Sequence, residues 1–247
     1  MKINNKFFIL VIIIIFVICA YLYNIGTTKT INKDANNINN VDIYNLPKNI
    51  IEEKIPSSFS GNIPIFMYHF VNDNNKVDPF IENILKVSSF EEQLKYIKSN
   101  DYDAIIFDDL DKLYKFNKPI MLTFDDGFED FYYNAYPLLK KYNIRATLFV
   151  ISNFLTQKGY VDIDMLKEMR DSNLVDIQCH SITHPRLSKI KLDSAINEIV
   201  DSKKIFIEKL NKNMNVFCYP YGDSNKAVRD IVSKNYFYGL DMLRWSV

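Results

Sequence analysis

Three histidines occur in the 247 residues, and each falls in or beside a segment whose residue types could do chemistry. His180 and His184 lie in CHSITHP (179–185), directly after the β-rich run VDIQC (175–179). Two imidazoles four residues apart can meet one metal ion from a helical turn or a tight loop. Taken alone, the spacing fits two surface or core histidines equally well. LTFDDGFED (122–130) places Asp125 and Asp126 at the end of another β-rich run, with Gly127 next. Adjacent carboxylates are costly to hold together unless a cation or a proton sits between them. Successive residues leaving a strand point in different directions. One carboxylate can therefore bind a metal while the other addresses a water; a solvated acidic turn or a helix cap is the alternative. The chain carries its own control in IFDDL (106–110), which lacks the glycine and reads as a short-helix cap. A third segment, FCYPYGDSN (217–225), holds Pro220 and Gly222 in a loop after a further β-rich run. Such a loop can aim backbone N–H groups at a developing oxyanion, although in isolation a simple tight turn explains it better.

These residues need elements to position them. IPIFMY (63–68), AIIF (104–107), IMLTF (120–124), ATLFVI (146–151), VDIQC (175–179) and NVFCY (215–219) read as buried strands, and 237–247 can hold one more. Near-continuous apolar character suits a parallel sheet covered on both faces. Helical stretches alternate with them: one after Ser88 and Ser89, which with Glu91 and Glu92 form overlapping capping boxes, then 131–142, 164–171, 192–210 and 226–234. The alternation predicts an α/β fold, a distorted (β/α) barrel of about seven units. A net charge of zero argues against a nucleic-acid partner. Lys2 and Lys6 precede an unbroken apolar run, Phe7–Tyr23. It predicts a single-pass membrane anchor (residues 1–23) with an extracytoplasmic domain; a cleaved signal sequence and secretion are the rival. Asn-rich residues 24–61 read as a linker. Cys179 and Cys218 could bridge outside the cell, but spacing alone does not establish that.

Together, TFDDG, HSITHP and the Pro-Tyr-Gly loop resemble the polysaccharide deacetylases, the NodB-like domain of carbohydrate esterase family four, over about residues 62–247. The resemblance implies a hydrolase acting on carbon–nitrogen bonds of linear amides, with a divalent metal held by Asp126, His180 and His184. Zn2+ suits that set, and nickel, cobalt and iron are compatible. It implies Asp125 as catalytic base and the backbone of Tyr221 as part of the oxyanion hole, with the Tyr221 side chain able to meet substrate.

Two features depart from the common family pattern. Cys218 occupies a position where many members carry arginine, and no histidine follows His184 to act as general acid. IPIFMYHFV (63–71) is similar to the segment of poly-β-1,6-N-acetylglucosamine deacetylases that supplies the acid from the first strand, which implies His69 in that role. The end, LRWSV (243–247), resembles their terminal segment and implies Arg244 beside the base and Trp245 lining the sugar pocket, where a core tryptophan fits as well. The expected substrate is an N-acetylglucosamine-containing surface glycan, poly-N-acetylglucosamine first. Peptidoglycan is the alternative within the same chemistry, and an inactive carbohydrate-binding module the alternative outside it.

Overall fold

The computed structural model describes residues 63–73 and 84–241. The anchor run Phe7–Tyr23, the linker 24–61, Arg244 and Trp245 lie outside the described residues. Among the described residues, no helix is long and apolar enough to cross a membrane.

The apolar runs become parallel strands. β1 (Ile65–Tyr68) pairs with β5 (Pro119–Phe124), and the sheet continues through β6 (Ala146–Val150), β7 (Val175–Cys179), β8 (Val216–Cys218) and β9 (Tyr238–Leu240). β4 (Asp103–Ala104) pairs with the start of β5, and β2 (Phe70–Val71) pairs with β3 (Ile84–Leu85) in a separate small sheet. The helices are α1 (Val87–Ser99), α2 (Tyr136–Tyr142), α3 (Ile163–Asp171), α4 (Leu192–Leu210) and α5 (Lys226–Asn235). On α4, Ala195, Ile199, Ser202, Phe206 and Leu210 are buried; steps of three and four residues line one face of a helix.

Alternation sorts the strand residues onto two faces. Ile120, Leu122 and Phe124 of β5, and Val175, Ile177 and Cys179 of β7, belong to the core beneath the helices. Thr123 and Asp125, and Asp176, Gln178 and His180, are therefore on the other, inner face. That face is strongly curled. β5 and β8 are separated by two strands, which in a flat sheet would put them about 14 Å apart. Yet the Cys218 Sγ lies 3.7 Å from Asp125 Oδ2.

Local differences from the expected elements have identifiable causes. The strand expected over 104–107 stops at Ala104, and a 3-10 helix starts at Phe107. Ile106 and Phe107 are buried, and the Phe107 ring meets Phe149 and Tyr238, so the segment plugs the inner face instead of extending the sheet. Asp109 accepts the Ile106 N–H at 3.0 Å, the cap role read for this aspartate pair. Helix α1 begins at Val87, with both serines inside it and no side-chain cap from Lys86. Asp73, distant in sequence, accepts the Val87 N–H at 3.0 Å instead. The helix expected over 131–142 is a wide π turn (Phe131–Ala135) followed by α2. Pro137 has no N–H for the regular helical ladder, and the wide turn ends just before it.

Deeper on the inner face, Asp176 is held by Lys212 Nζ at 2.8 Å and by Gln178, whose amide oxygen in turn accepts the N–H groups of Asn215 and Val216. Burial pushes the Asp176 carboxyl up, and Lys212 pulls it back down. Removing the cation leaves a buried carboxylate without its counter-charge, so Lys212→Ala should lower unfolding free energy by about 3 kcal/mol. Urea denaturation followed by circular dichroism checks this; a loss well under 1 kcal/mol would show that the network does not stabilise the sheet.

Candidate active site

The sequence motifs converge at the C-terminal ends of β1, β5, β7 and β8, where the chain leaves a parallel sheet and side chains can face a common mouth. Asp125 follows β5 directly and is anchored by its N–H donating to the Tyr68 carbonyl at 2.9 Å. Asp126 and Gly127 then turn with φ of 73° and 77°. The turn is tight: a Cβ added at Gly127 would meet Val150 Cγ1 at 3.0 Å. The described residues with positive φ that are neither Gly, Asn nor Asp are Ser181, His184 and Tyr221, all in the motif loops. Such backbone is uncommon for these residue types and persists only where the surroundings enforce it.

The enforcement is visible for the histidine loop. Ser181 Oγ accepts the His184 N–H at 2.9 Å. Glu198 of α4 accepts the N–H groups of Ile182 and Thr183 and the Thr183 hydroxyl. The third loop is tied to the second by Asp223, which accepts from the N–H and the hydroxyl of Ser188 at 2.8 and 2.9 Å. Neither Glu198 nor Asp223 is marked by the sequence motifs. Glu198 lies on a helix 15 and 16 residues from its two partners, and nothing in its local pattern singles it out.

The result is a nearly equilateral triangle. His184 Nε2 lies 3.2 Å from His180 Nε2 and 3.2 Å from Asp126 Oδ1, and His180 Nε2 lies 3.4 Å from Asp126 Oδ1. The Asp126 Oδ1 atom is buried without a hydrogen bond among the described residues. His180 Nδ1 lies 2.9 Å from the Cys218 carbonyl. A carbonyl only accepts, so Nδ1 carries a proton, which leaves Nε2 as the ring atom that can offer a lone pair to a metal. A tetrahedral ion with bonds of about 2.0–2.1 Å needs ligand atoms about 3.3–3.4 Å apart. The three residues fit a divalent metal of that size.

Electrostatics separates the two neighbouring aspartates. Burial drives the Asp125 carboxyl up, and the imidazoles of His180 and His69 only partly offset this. Burial acts on Asp126 as well, but the close approach of His180 and the histidine charges outweigh it and hold this carboxyl low. For His180 the burial penalty is exceeded by Asp126 and Asp125, and its pKa rises. Burial and the neighbouring His180 push His184 down to about 4, keeping its ring neutral and free to ligate. Asp125 is 4% exposed, its Oδ1 has no hydrogen-bond partner among the described residues, and its Oδ2 faces the Cys218 thiol. Burial and Asp125 raise the thiol well above its ordinary range, so it stays protonated. Cys179 and Cys218 are both free and buried, and no disulfide joins them.

His69 stands at the end of β1, one residue past the Tyr68–Phe124 pair. Its imidazole lies close enough to act electrostatically on Asp125, Asp126 and His184. Tyr221 is at the mouth, 53% exposed, with its ring centroid 4.5 Å from that of His184 and the Arg186 guanidinium 4.4 Å from its ring. The structure thus brings Asp125, Asp126, His180, His184, His69 and Tyr221 to one rim.

The family model described as polysaccharide deacetylase matches residues 114–239, just over half of the chain. The chain belongs to the polysaccharide deacetylase family. It is 30% identical over 179 residues to YxkH of Bacillus subtilis, covering 70% of this chain and 62% of that protein. It is 32% identical over 164 residues to the poly-beta-1,6-N-acetyl-D-glucosamine N-deacetylase of Staphylococcus aureus, covering 60% and 57%. This polysaccharide deacetylase family member therefore spans less than two thirds of the length of these curated relatives. Among solved structures it resembles Streptococcus pyogenes deacetylase PplD in complex with acetate, with a TM-score of 0.68, 30% identity, and coverage of 73% of this chain and 83% of that one.

The triangle predicts a metal stoichiometry for this family member. Dialysed protein should retain about one equivalent of a divalent metal, and His180→Ala or His184→Ala should bring that close to zero by elemental analysis. Full retention by the double variant would rule the cluster out as the binding site.

Proposed function

We propose that the chain is an extracytoplasmic deacetylase that removes acetyl groups from N-acetylglucosamine residues of a bacterial surface glycan, with poly-N-acetylglucosamine as the substrate. The observation that carries the chemistry is the metal-sized triangle of Asp126, His180 and His184 beside a second, separately tuned carboxylate. The likeness to the Staphylococcus aureus enzyme named for that polymer favours the substrate. A divalent ion held by the three ligands, zinc first by their donor types, would polarise the acetyl carbonyl and acidify water. Nickel, cobalt or iron fit the same donor set.

The chain's own groups then divide the proton work. Asp125 has an Oδ1 without a hydrogen-bond partner among the described residues and a pKa raised by burial, the setting of a carboxylate that takes a proton from water as it attacks. His69, across the rim, returns a proton to the glucosamine nitrogen, a poor leaving group unless protonated. The backbone N–H of Tyr221 steadies the developing oxyanion, and its exposed ring offers a flat face to the sugar. Cys218 gives Asp125 a neutral neighbour, and Arg244 of the terminal segment supplies the missing positive partner. Trp245 lines the sugar pocket. The run Phe7–Tyr23 anchors this domain in the membrane.

Acetate release from poly-N-acetylglucosamine, lost on chelation and regained with zinc, tests the activity; peptidoglycan as the better substrate would replace the polymer in this reading. Asp125→Asn and His69→Ala should each keep the metal and lower turnover by roughly 10²-fold or more, the scale of general acid–base catalysis. Near-normal turnover in either would remove that residue from its role. For the anchor, the protein should fractionate with membranes; a mature N-terminus beyond Tyr23 on protein released to the medium would show a cleaved signal instead.

A further inference from the structure

His69 has little of its own to hold it. Its Nδ1 is buried without a hydrogen-bond partner among the described residues. It also falls between two ladders: Tyr68 is the last residue paired with β5, and Phe70 is the first paired with β3. The backbone on either side must set where the ring stands. On one side the Tyr68 carbonyl accepts the Asp125 N–H. On the other, both polar groups of Val71 are taken by side chains from the segment that follows the Asp125–Gly127 turn. Asp130 Oδ2 accepts the Val71 N–H at 2.7 Å, and Asn134 Nδ2 donates to the Val71 carbonyl at 2.8 Å.

We propose that Asp130 and Asn134 are positioning residues, a two-sided clamp on Val71 that holds His69 in register with Asp125. The proposal rests on the reading of His69 as general acid. The chemistry of the pair suits a clamp, since a carboxylate can only accept from the N–H and the amide nitrogen can only donate to the carbonyl. Asp130 keeps a carboxylate where burial opposes one. It is 7% exposed, its Oδ1 has no partner among the described residues, and burial pushes its pKa up to about 6. Asn134 lies one helical step from Asp130, within the wide turn ahead of Pro137, so the two side chains share a side of that segment. The stacked rings of Phe70 and Phe128, with centroids 3.9 Å apart, join the same two stretches independently. Loss of the clamp should therefore shift His69 without releasing the segment, and misplacement on the scale of 1 Å can cost about 10²-fold in rate.

The test is a double-mutant cycle on metal-loaded, full-length protein, reading kcat, KM and metal content. Asp130→Ala should lower kcat by roughly ten-fold or more with metal content and KM little changed, Asn134→Ala should do the same more weakly, and Asp130→Asn, which keeps an acceptor oxygen, should restore most of the rate. In a His69→Ala background neither alanine change should add a further loss, because the group they position is gone. Additive losses in that background, full activity of folded Asp130→Ala and Asn134→Ala proteins, or loss of metal would overturn the clamp. If Asp130→Ala does not fold, Asn134→Ala alone carries the comparison. A fully active His69→Ala protein would overturn the general-acid reading and the clamp with it, whereas an impaired one with additive clamp variants would overturn the clamp alone.

Discussion

Two ring nitrogens and one carboxylate oxygen within 3.4 Å of one another set the terms for the whole rim. They come from the ends of β5 and β7, with β6 between, beside an Asp125–Cys218 contact across β5 and β8 that a flat sheet cannot make. The curl of the parallel sheet is therefore the requirement on which the site depends. The helices on the outer face and the plug at Phe107 on the inner one maintain that curl through close packing. The positive-φ residues in the motif loops are its local counterpart. Glu198 and Asp223 supply the hydrogen bonds that offset part of their conformational strain.

Chemical division of labour follows from that geometry. Asp125 and Asp126 are adjacent in sequence but shift in opposite directions, because burial outweighs the histidines at the first, beside an uncharged thiol, and the close imidazoles outweigh burial at the second. Neighbouring carboxylates whose affinities for the proton diverge can take different roles in one reaction. Cys218 serves this division twice: its carbonyl fixes the His180 ring, and its side chain leaves Asp125 without a strong stabilising partner.

The sequence made most of this legible where a local pattern is dictated by a local cause. The run 175–179 and the helix 192–210 appear at the expected residues, because continuous burial and a one-sided apolar stripe leave few alternatives. Asp125, Asp126, His180 and His184 stand out in two motifs placed after apolar runs, but only the family resemblance implies their roles. Other features depend on partners far away in the chain. Ile105–Phe107 are apolar enough for a strand, and only the open inner face beneath them shows why they plug it. Ser88 and Ser89 have the spacing of a cap, but Asp73 fills that role from outside the helix. Asp130 was in plain sight within LTFDDGFED, yet its acceptor role exists only because β2 passes beside it.

The two buried thiols have a consequence beyond the site. Cys179 lies under α4 and α5 with its pKa raised to about 11, and Cys218 is sealed against Asp125. Neither is paired, and neither presents a reactive thiolate to solvent. Within the described residues, no covalent link has to form for the domain to reach its native state. Labelling of either sulfur by a thiol reagent thus reports an opening of the core around it.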